Sequence, residues 1–420
     1  MSAPCPTDNG LAGHGRARGR GRVRRQRRSP WHKHKRFLVL PSGDAVHIIR
    51  APVSSQSHLP SSDRHLQHRA WVEVDFRALV DNARTVAQVS GAPLIPVIKA
   101  DAYGLGAVGA AKALEVLDPW GYAVATVEEG AALRASGISR RLLVFSPAHP
   151  ARFPEFDRHQ LTPVFDHLPA LLEWRARGDT PFHVEIDTGM SRTGARPEYL
   201  GEWRGALDTP AFEGCFTQFH SAHKDVDATT AQWESLLQAV RAMPRRPAVV
   251  HAANSAGALR GKRYAGDAVR PGIFLYGGDP GKGLPEGRPV AHVRSRVLSV
   301  RRIAAGDSVG YGATWRAAKA TTIATLGIGY ADGVRRSVVK TGEAYVLMKG
   351  ARYPYAGVIT MDLTMIDVGD AAVGLGDVAT LLGADGGELI TLAKHASWCQ
   401  ESQYVILTGL GPRLPRVPVS

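Results

Sequence analysis

Cysteine is scarce in this chain of 420 residues: Cys5, Cys215 and Cys399 lie far apart and show no metal-type spacing. The scarcity excludes a disulfide framework and a structural zinc site, and it fits a protein of the reducing cytoplasm. Long apolar runs are lacking as well, since no segment reaches the ~18 consecutive apolar residues of a membrane-spanning helix. We therefore predict a soluble, cytoplasmic protein.

Acidic residues are outnumbered, but the excess of positive charge belongs mainly to one end of the chain. The net charge is +14, and residues 1–36 carry eleven Lys or Arg and one acid, so removing this +10 leaves +4 for the rest. The segment is rich in Gly and Arg and has no apolar periodicity, which predicts a disordered basic extension over residues 1–68.

The basic extension has several interpretations. We favour a solvated extension, or a start codon assigned too far upstream, over a polyanion-binding arm, so nucleic acid is not an expected partner. A signal peptide is disfavoured because Pro41 and Asp44 interrupt the apolar segment that it would need.

Short apolar runs alternate with helical stretches from residue 69 onward. A chain of this length suggests two domains, and the runs are almost wholly hydrophobic, as expected for parallel strands covered on both faces. Their alternation with helices predicts a (β/α)8 TIM barrel over residues 69–288, with the active site at the carboxyl ends of its strands. The eight runs are PLIPVIK, GYAVAT, LLVFS, LTPVF, FHVEID, GCFTQF, AVVHAA and AVRPGIFLYG.

The pattern changes after residue 288. Short alternating segments are now separated by Gly and Asp, which is typical of antiparallel strands joined by turns. We predict a mostly-β domain over residues 289–420, so the fold class is an α/β barrel followed by a C-terminal β domain.

Lys99 stands at the end of the first apolar run and is followed by Tyr103 in the motif YGLG. A charge at the end of a buried strand is costly, and the usual response is a lowered pKa or a covalent role. Lys99 is therefore a candidate nucleophile or base. A surface ion pair is the common role of a single strand-end lysine and remains the alternative.

Two further strand ends carry groups suited to a phosphate. Arg270 and Gly272 lie in the eighth run, where barrels commonly present loop N–H groups to phosphate. Ser255, after the seventh run, can offer a hydroxyl, or can instead cap the following helix. A phosphate site beside a lysine indicates pyridoxal phosphate held as a Schiff base.

Seven motifs follow one another in the chain: VIKADAYGLG, IDTGMSRTG, HAANSAG, VRPGIFLYG, SVGYGATWRA, LGIGYADG and GVITMDLTMIDVGD. With these motifs in this order, the chain resembles the alanine racemases, barrel-type pyridoxal-phosphate enzymes, from about Trp71 to the C-terminus. The resemblance implies an isomerase that interconverts L-alanine and D-alanine as a homodimer and supplies D-alanine for peptidoglycan.

The resemblance also implies residue roles. Lys99 holds the cofactor and acts as one base, while Tyr311 of the neighbouring subunit is the other base on the opposite face; a structural role for Tyr311 is the alternative. One base alone would only return the proton to the face it came from. The implied cofactor-binding residues are Lys99, Tyr103, Arg192, Ser255, Arg270, Gly272 and Ile273, and the implied substrate-binding residues are Arg192, Tyr330 and Met361.

Three positions depart from the family pattern. Glu185 stands where many members have a carbamylated lysine that orients the active-site arginine, and it either supplies a permanent carboxylate or is an outward-facing strand residue. Gln218 replaces a histidine near the pyridine ring. Pro412 is placed where some relatives have a phosphate-binding tyrosine, which predicts weaker phosphate binding.

Other function classes remain open. A racemase of broad specificity, or one for serine, is the main alternative, because this sequence does not resolve pocket size. An amino-acid decarboxylase would bring a cysteine where Tyr311 stands, and a non-enzymatic pyridoxal-phosphate module would lack the second domain. His220 and His223 imitate a metal pair, but no acidic third ligand follows by spacing, so no metal is expected.

Overall fold

The computed structural model describes residues 68–419. The basic extension predicted for residues 1–68 therefore lies outside the described residues, apart from His68. Cys215 and Cys399 are both buried free thiols. In the described part of the chain, no helix is long and apolar enough to cross a membrane.

Six strands form a parallel sheet in which neighbours in the chain are neighbours in space. All residues of β2, β4 and β5 are buried, as the hydrophobic runs predict for strands covered on both faces. The six are β2 (Gly121–Val124), β3 (Arg141–Pro147), β4 (Thr162–Phe165), β5 (Phe182–Glu185), β6 (Phe212–Phe216) and β7 (Val249–His251).

Two irregular segments, 93–98 and 267–271, close this sheet into the predicted eight-membered barrel. They replace the regular first and eighth strands that we predicted, because Pro96 and Pro271 have no N–H and cannot continue a strand ladder. Isolated parallel bridges join Leu94 with Val269 and Val97 with Ala123.

Helices follow the barrel strands, as the alternation predicts, and α1 precedes them. Asp75 begins α1 by accepting the N–H of Ala78 at 2.9 Å, and Gly91 ends it in the left-handed conformation. The helices of this part are α1 (Phe76–Ser90), α2 (Lys99–Gly104), α3 (Ala107–Leu114), α4 (Val127–Ala135), α5 (Phe153–Arg158), α6 (Leu168–Arg175), α7 (Arg204–Leu207), α8 (Val226–Ala242) and α9 (Ser255–Leu259).

The C-terminal part is built on a mainly antiparallel sheet around the long strand β8 (Ala291–Ile303). This strand pairs with β1 (Ala70–Asp75), β11 (Thr321–Leu326) and β15 (Val378–Asp385). This confirms the predicted β domain. Its strands are β8 (Ala291–Ile303), β9 (Ser308–Val309), β10 (Trp315–Arg316), β11 (Thr321–Leu326), β12 (Tyr345–Met348), β13 (Ala351–Pro354), β14 (Thr364–Gly369), β15 (Val378–Asp385), β16 (Glu388–Ile390) and β17 (Arg416–Val419).

Strand β1 (Ala70–Asp75) crosses the predicted division of the chain. It lies in the range predicted for the barrel, yet it pairs antiparallel with β8 and parallel with β17. The local hydrophobic pattern indicates that a segment forms a strand, but it does not indicate which distant strand that segment pairs with. The domain boundaries at residues 68 and 288 remain predictions. Strand β1 departs from them, because it lies in the range predicted for the barrel but joins the sheet of the C-terminal part.

Two helices of the C-terminal part were absent from the predicted strand pattern: α10 (Leu392–Cys399) and α11 (Gln403–Thr408). Thr391 and Ser402 cap them by accepting backbone N–H groups three residues on. Both helices contribute to the wall of the cavity described next.

Candidate active site

A cavity of about 920 Å³ opens at the carboxyl ends of the barrel strands. The structure brings all seven predicted cofactor-binding residues to its wall, although they come from four separate stretches of the chain. These residues are Lys99, Tyr103, Arg192, Ser255, Arg270, Gly272 and Ile273.

Lys99 begins a turn with an unusual backbone. The four following residues, 100–103, all have positive φ between 51° and 58°, although none is glycine. Left-handed backbone costs an L-residue about 1–2 kcal/mol, so the surrounding structure must hold it; Glu129 contributes by accepting the N–H of Ala100 at 2.7 Å. Strain of this kind concentrates at functional sites.

The Lys99 amine lies in a setting that favours its neutral form. Burial is the main cause of its lowered pKa and the nearby Arg192 guanidinium adds to it, while Glu129 acts in the opposite direction. A lysine with a lowered pKa is a better nucleophile and base near neutral pH.

Ser255 and Gly272 form a compact polar corner of the cavity. The Ser255 hydroxyl accepts the N–H groups of Gly272 at 2.9 Å and Phe274 at 3.2 Å. Asn254, not Ser255, caps α9, so the alternative role that we allowed for the serine is filled by its neighbour. A Cβ at Gly272 would lie 2.3 Å from the Tyr103 hydroxyl, so only glycine fits here.

Tyr103 forms an aromatic wall beside this corner. Its ring is buried and lies with its centroid 4.5 Å from that of Tyr276 and 5.8 Å from that of Tyr404. Burial raises the pKa of Tyr103, so its hydroxyl stays protonated and can donate a hydrogen bond.

Arg270 is almost fully buried at the base of the cavity. Its guanidinium donates to His251 Nδ1 at 2.8 Å, to the Thr217 carbonyl at 2.8 Å and to Gln218 Oε1 at 3.2 Å, and lies 4.8 Å from the centre of the Phe216 ring. Burial lowers its pKa to about 9, so it remains a cation at neutral pH.

Glu185, at the end of β5, faces the cavity rather than the outside of the barrel. It is 4% exposed and its two oxygens face different partners: Oε2 accepts the Thr193 hydroxyl at 2.7 Å, and Oε1 lies 3.7 Å from Arg192 NH2. Burial raises its pKa, opposed by Thr193 and Arg192. The outward-facing interpretation of Glu185 is wrong.

The weaker phosphate binding expected from Pro412 stays a prediction. Pro412 does not line the cavity, whereas Tyr404 of α11 does, beside Tyr103. The C-terminal part therefore contributes a tyrosine to the cavity, beside Tyr103. Sequence reasoning missed Tyr404 because α11 was not predicted, and only the packing of that helix against the barrel brings its ring to the site.

Tyr311, Tyr330 and Met361 are not part of this cavity. They lie on the surface of the β domain with exposed fractions of 77%, 42% and 52%. Large exposed side chains can mark a surface that another molecule covers.

Two arginines paired with the buried Asp332 hold the loops that carry Tyr330 and Met361. Asp332 is fully buried and receives Arg69 NH2 and Arg413 Nε, each at 2.9 Å. Backbone hydrogen bonds also join the two loops. Charge-assisted hydrogen bonds of this type fix geometry well, so the exposed side chains stand on rigid supports.

The chemistry of the cavity fits pyridoxal phosphate. A lysine amine is present for the aldehyde, and the Ser255 hydroxyl, whose oxygen accepts two backbone N–H groups, keeps its own proton to donate to a phosphate. His220 and His223 also line the cavity. Within residues 68–419, no group of three or more His, Cys, Asp or Glu is placed to hold a metal ion.

Comparison with known proteins points to one family. Residues 74–280 match the model of the alanine racemase N-terminal domain, and residues 290–418 match that of the alanine racemase C-terminal domain. An alanine racemase of Carboxydothermus hydrogenoformans is 36% identical over 366 residues, which cover 83% of this chain and 99% of the relative.

Solved structures agree with the family models. The alanine racemase of E. faecalis matches with a TM-score of 0.78 at 30% identity, covering 84% of this chain and 98% of its own. That of Bartonella henselae, which contains covalently bound pyridoxal phosphate, matches with a TM-score of 0.77 at 28% identity, covering 84% and 100%. Because the two family models match in order and span most of the chain, this protein belongs to the alanine racemase family of isomerases.

Proposed function

We propose that the protein interconverts L-alanine and D-alanine with pyridoxal phosphate bound through Lys99, in a site completed by Tyr311 of a second subunit. The observation that carries the proposal is the convergence of Lys99, Ser255 and Arg270 on one cavity. The covalently bound cofactor of the Bartonella henselae relative supports the choice of cofactor.

Each part of the cavity has a task in this proposal. Tyr103, Ser255, Gly272 and Ile273 bind the phosphate, and Tyr404 adds a further tyrosine beside them. Arg270 would donate a hydrogen bond to the pyridine nitrogen and, because a guanidinium only donates, would keep that nitrogen unprotonated. When bound, the cofactor supplies an electron sink that makes the α-proton of an amino acid removable.

Lys99 and Tyr311 move the proton. The lowered pKa of Lys99 leaves its amine free to accept a proton near neutral pH. Arg192 binds the substrate carboxylate. Inversion requires a second acid on the other face of the α-carbon, and Tyr311 has a phenolic hydroxyl suited to that role.

Dimer formation supplies Tyr311. In one chain Tyr311, Tyr330 and Met361 are exposed and outside the cavity that contains Lys99. A two-fold dimer buries the same surface of both subunits, so each subunit would complete the site of the other. Tyr330 and Met361 would then limit the size of the substrate.

The biological setting follows from the product. D-alanine made in the cytoplasm would supply peptidoglycan synthesis. A racemase of broad specificity or for serine is the alternative, since the residues that limit the substrate come from the dimer contact.

The proposed function is tested by proton exchange at the α-carbon. L-alanine, D-alanine and L-serine are offered separately in D2O to protein supplied with pyridoxal phosphate, and the α-proton is followed by NMR. We expect exchange with inversion for both alanines and little for serine. Inversion of all three favours the broad-specificity enzyme, and cofactor binding without exchange contradicts the racemase.

A further prediction concerns Glu185 and bicarbonate. Because Glu185 is itself a buried carboxylate beside Arg192, we expect racemisation to be unchanged when bicarbonate is removed or restored. Glu185→Gln is expected to raise KM for alanine about 10-fold, because a charge-assisted contact to Arg192 is lost.

Its matched control is Glu198→Gln, which removes a carboxylate paired with the exposed Arg196 at 3.8 Å. That change should leave KM as it was. A clear bicarbonate requirement in the unmodified protein would contradict the role assigned to Glu185.

A further inference from the structure

A line of polar side chains leads from Arg270 through the barrel interior, away from the cavity. Arg270 NH1 donates to His251 Nδ1 at 2.8 Å, and His251 Nε2 lies 3.0 Å from His183 Nδ1. His183 Nε2 in turn lies 3.4 Å from Glu213 Oε2. Both histidines are fully buried.

The far end of this line lies at the amino ends of the barrel strands. Glu213 is the second residue of β6, and its Oε1 receives Arg141 Nε at 3.1 Å from the first residue of β3. The Arg141 guanidinium lies over the Trp120 ring, 4.9 Å from its centre, and is half exposed. The line therefore connects the cavity with the opposite face of the barrel.

The direction of every hydrogen bond in the line follows from Arg270. A guanidinium only donates, so His251 Nδ1 must accept and its proton must lie on Nε2. That proton is donated to His183 Nδ1, which places the proton of His183 on Nε2. Burial lowers the pKa of both histidines, so each keeps a single ring proton.

Glu213 is placed to accept the last proton in this series of hydrogen bonds. His183 Nε2 and Glu213 Oε2 are both buried, neither has a hydrogen-bond partner of normal geometry among the described residues, and the two atoms lie 3.4 Å apart. An N–H without an acceptor would be costly at this depth. Gly214 makes the approach possible, because a Cβ there would lie 2.3 Å from the His183 ring.

We propose that Glu213 is a positioning residue for Arg270: by accepting the Nε2 proton of His183, it holds both imidazoles so that His251 accepts from the guanidinium. The orientation of Arg270 in the cavity thus depends on a carboxylate at the far face of the barrel. The effect on catalysis rests on the proposed function, whereas the positions of the ring protons do not.

The ring protons are measured directly by ¹⁵N NMR on full-length protein labelled in histidine, with and without pyridoxal phosphate. Signals are assigned with His183→Gln and His251→Gln. We expect both rings to be neutral with the proton on Nε2. A proton on Nδ1 of His183 or His251 in the unmodified protein overturns the proposal, without the need for any further variant.

Variants of Glu213 then test its influence on the site. Glu213→Leu should shift the ¹⁵N signals of His251, which it does not contact, and should lower kcat about 10-fold, the scale for loss of an outer partner of a site histidine. Glu213→Gln keeps an acceptor oxygen and should restore kcat to within about 3-fold of the unmodified protein.

The control is Asp118→Asn, which removes an exposed carboxylate paired with Arg140; it should change neither signal nor rate. Unchanged His251 signals and kcat in Glu213→Leu overturn the proposal. If Glu213→Leu does not fold, the comparison of Glu213→Gln with the unmodified protein decides: a loss of kcat as large as 10-fold there contradicts a role as acceptor.

Discussion

Replacing Lys99 by alanine is expected to abolish racemisation of both alanine enantiomers, by at least about 10³-fold, because one side chain supplies both the covalent link to the cofactor and one of the two bases. The absorption of covalently bound cofactor should disappear at the same time. Both measurements use protein saturated with pyridoxal phosphate. Racemisation is followed by a coupled assay for each enantiomer, and the bound cofactor by an absorption spectrum.

Lys112→Ala is the matched control, since Lys112 is an exposed lysine of α3 outside the cavity. It should retain full activity and the full spectrum. Substantial racemisation by Lys99→Ala would mean that another group takes the α-proton. It would therefore contradict the central role of Lys99 in the proposed function.

Replacing Tyr311 by phenylalanine is expected to lower racemisation about 10²- to 10⁴-fold, the usual contribution of a positioned acid or base. The two enantiomers have equal free energies, so kcat/KM must fall equally in both directions. The informative measurement is therefore deuterium exchange at the α-carbon: one enantiomer should still exchange through Lys99 with retention, while the other should not exchange.

Tyr199→Phe, at a tyrosine of the barrel that is 54% exposed, is the control and should leave both exchange rates unchanged. Equal loss of exchange from the two enantiomers in Tyr311→Phe would count against its assignment to one face.

Mixing the two inactive variants separates a shared site from one built within a single chain. If Tyr311 serves the other subunit, a hybrid dimer of Lys99→Ala and Tyr311→Phe contains one intact site and one doubly altered site. Random exchange of subunits makes half of the dimers hybrids, so about a quarter of the unmodified activity should return. No recovery after demonstrated exchange would contradict a shared site.

Most of the barrel could be predicted because its information is local. The strands GYAV and FHVE, within the runs GYAVAT and FHVEID, are buried along their whole length in the structure, as a parallel strand covered on both faces requires. Lys99 could be singled out from local sequence as well, because a charge at the end of a buried strand is energetically costly.

The rest depended on contacts between distant segments. β1 joins the second sheet through β8 and β17, and Tyr404 reaches the cavity only because α11 packs against the turn that follows Lys99. Neither contact can be recognised in the local hydrophobic pattern, because which segments pack together depends on the fold of the whole chain.

The sequence by itself determined the class of fold, the family and the chemical groups available at the strand ends. These features depend only on hydrophobic periodicity and residue type, which can be read from the sequence directly. The tertiary structure decided that Glu185 faces inward, that Asn254 rather than Ser255 caps a helix, and that Tyr311 lies outside the cavity of its own chain. It also decided the line from Arg270 to Glu213. The physical reason is that side-chain direction and hydrogen-bond partners are fixed only when burial forces each polar group to find an acceptor or donor.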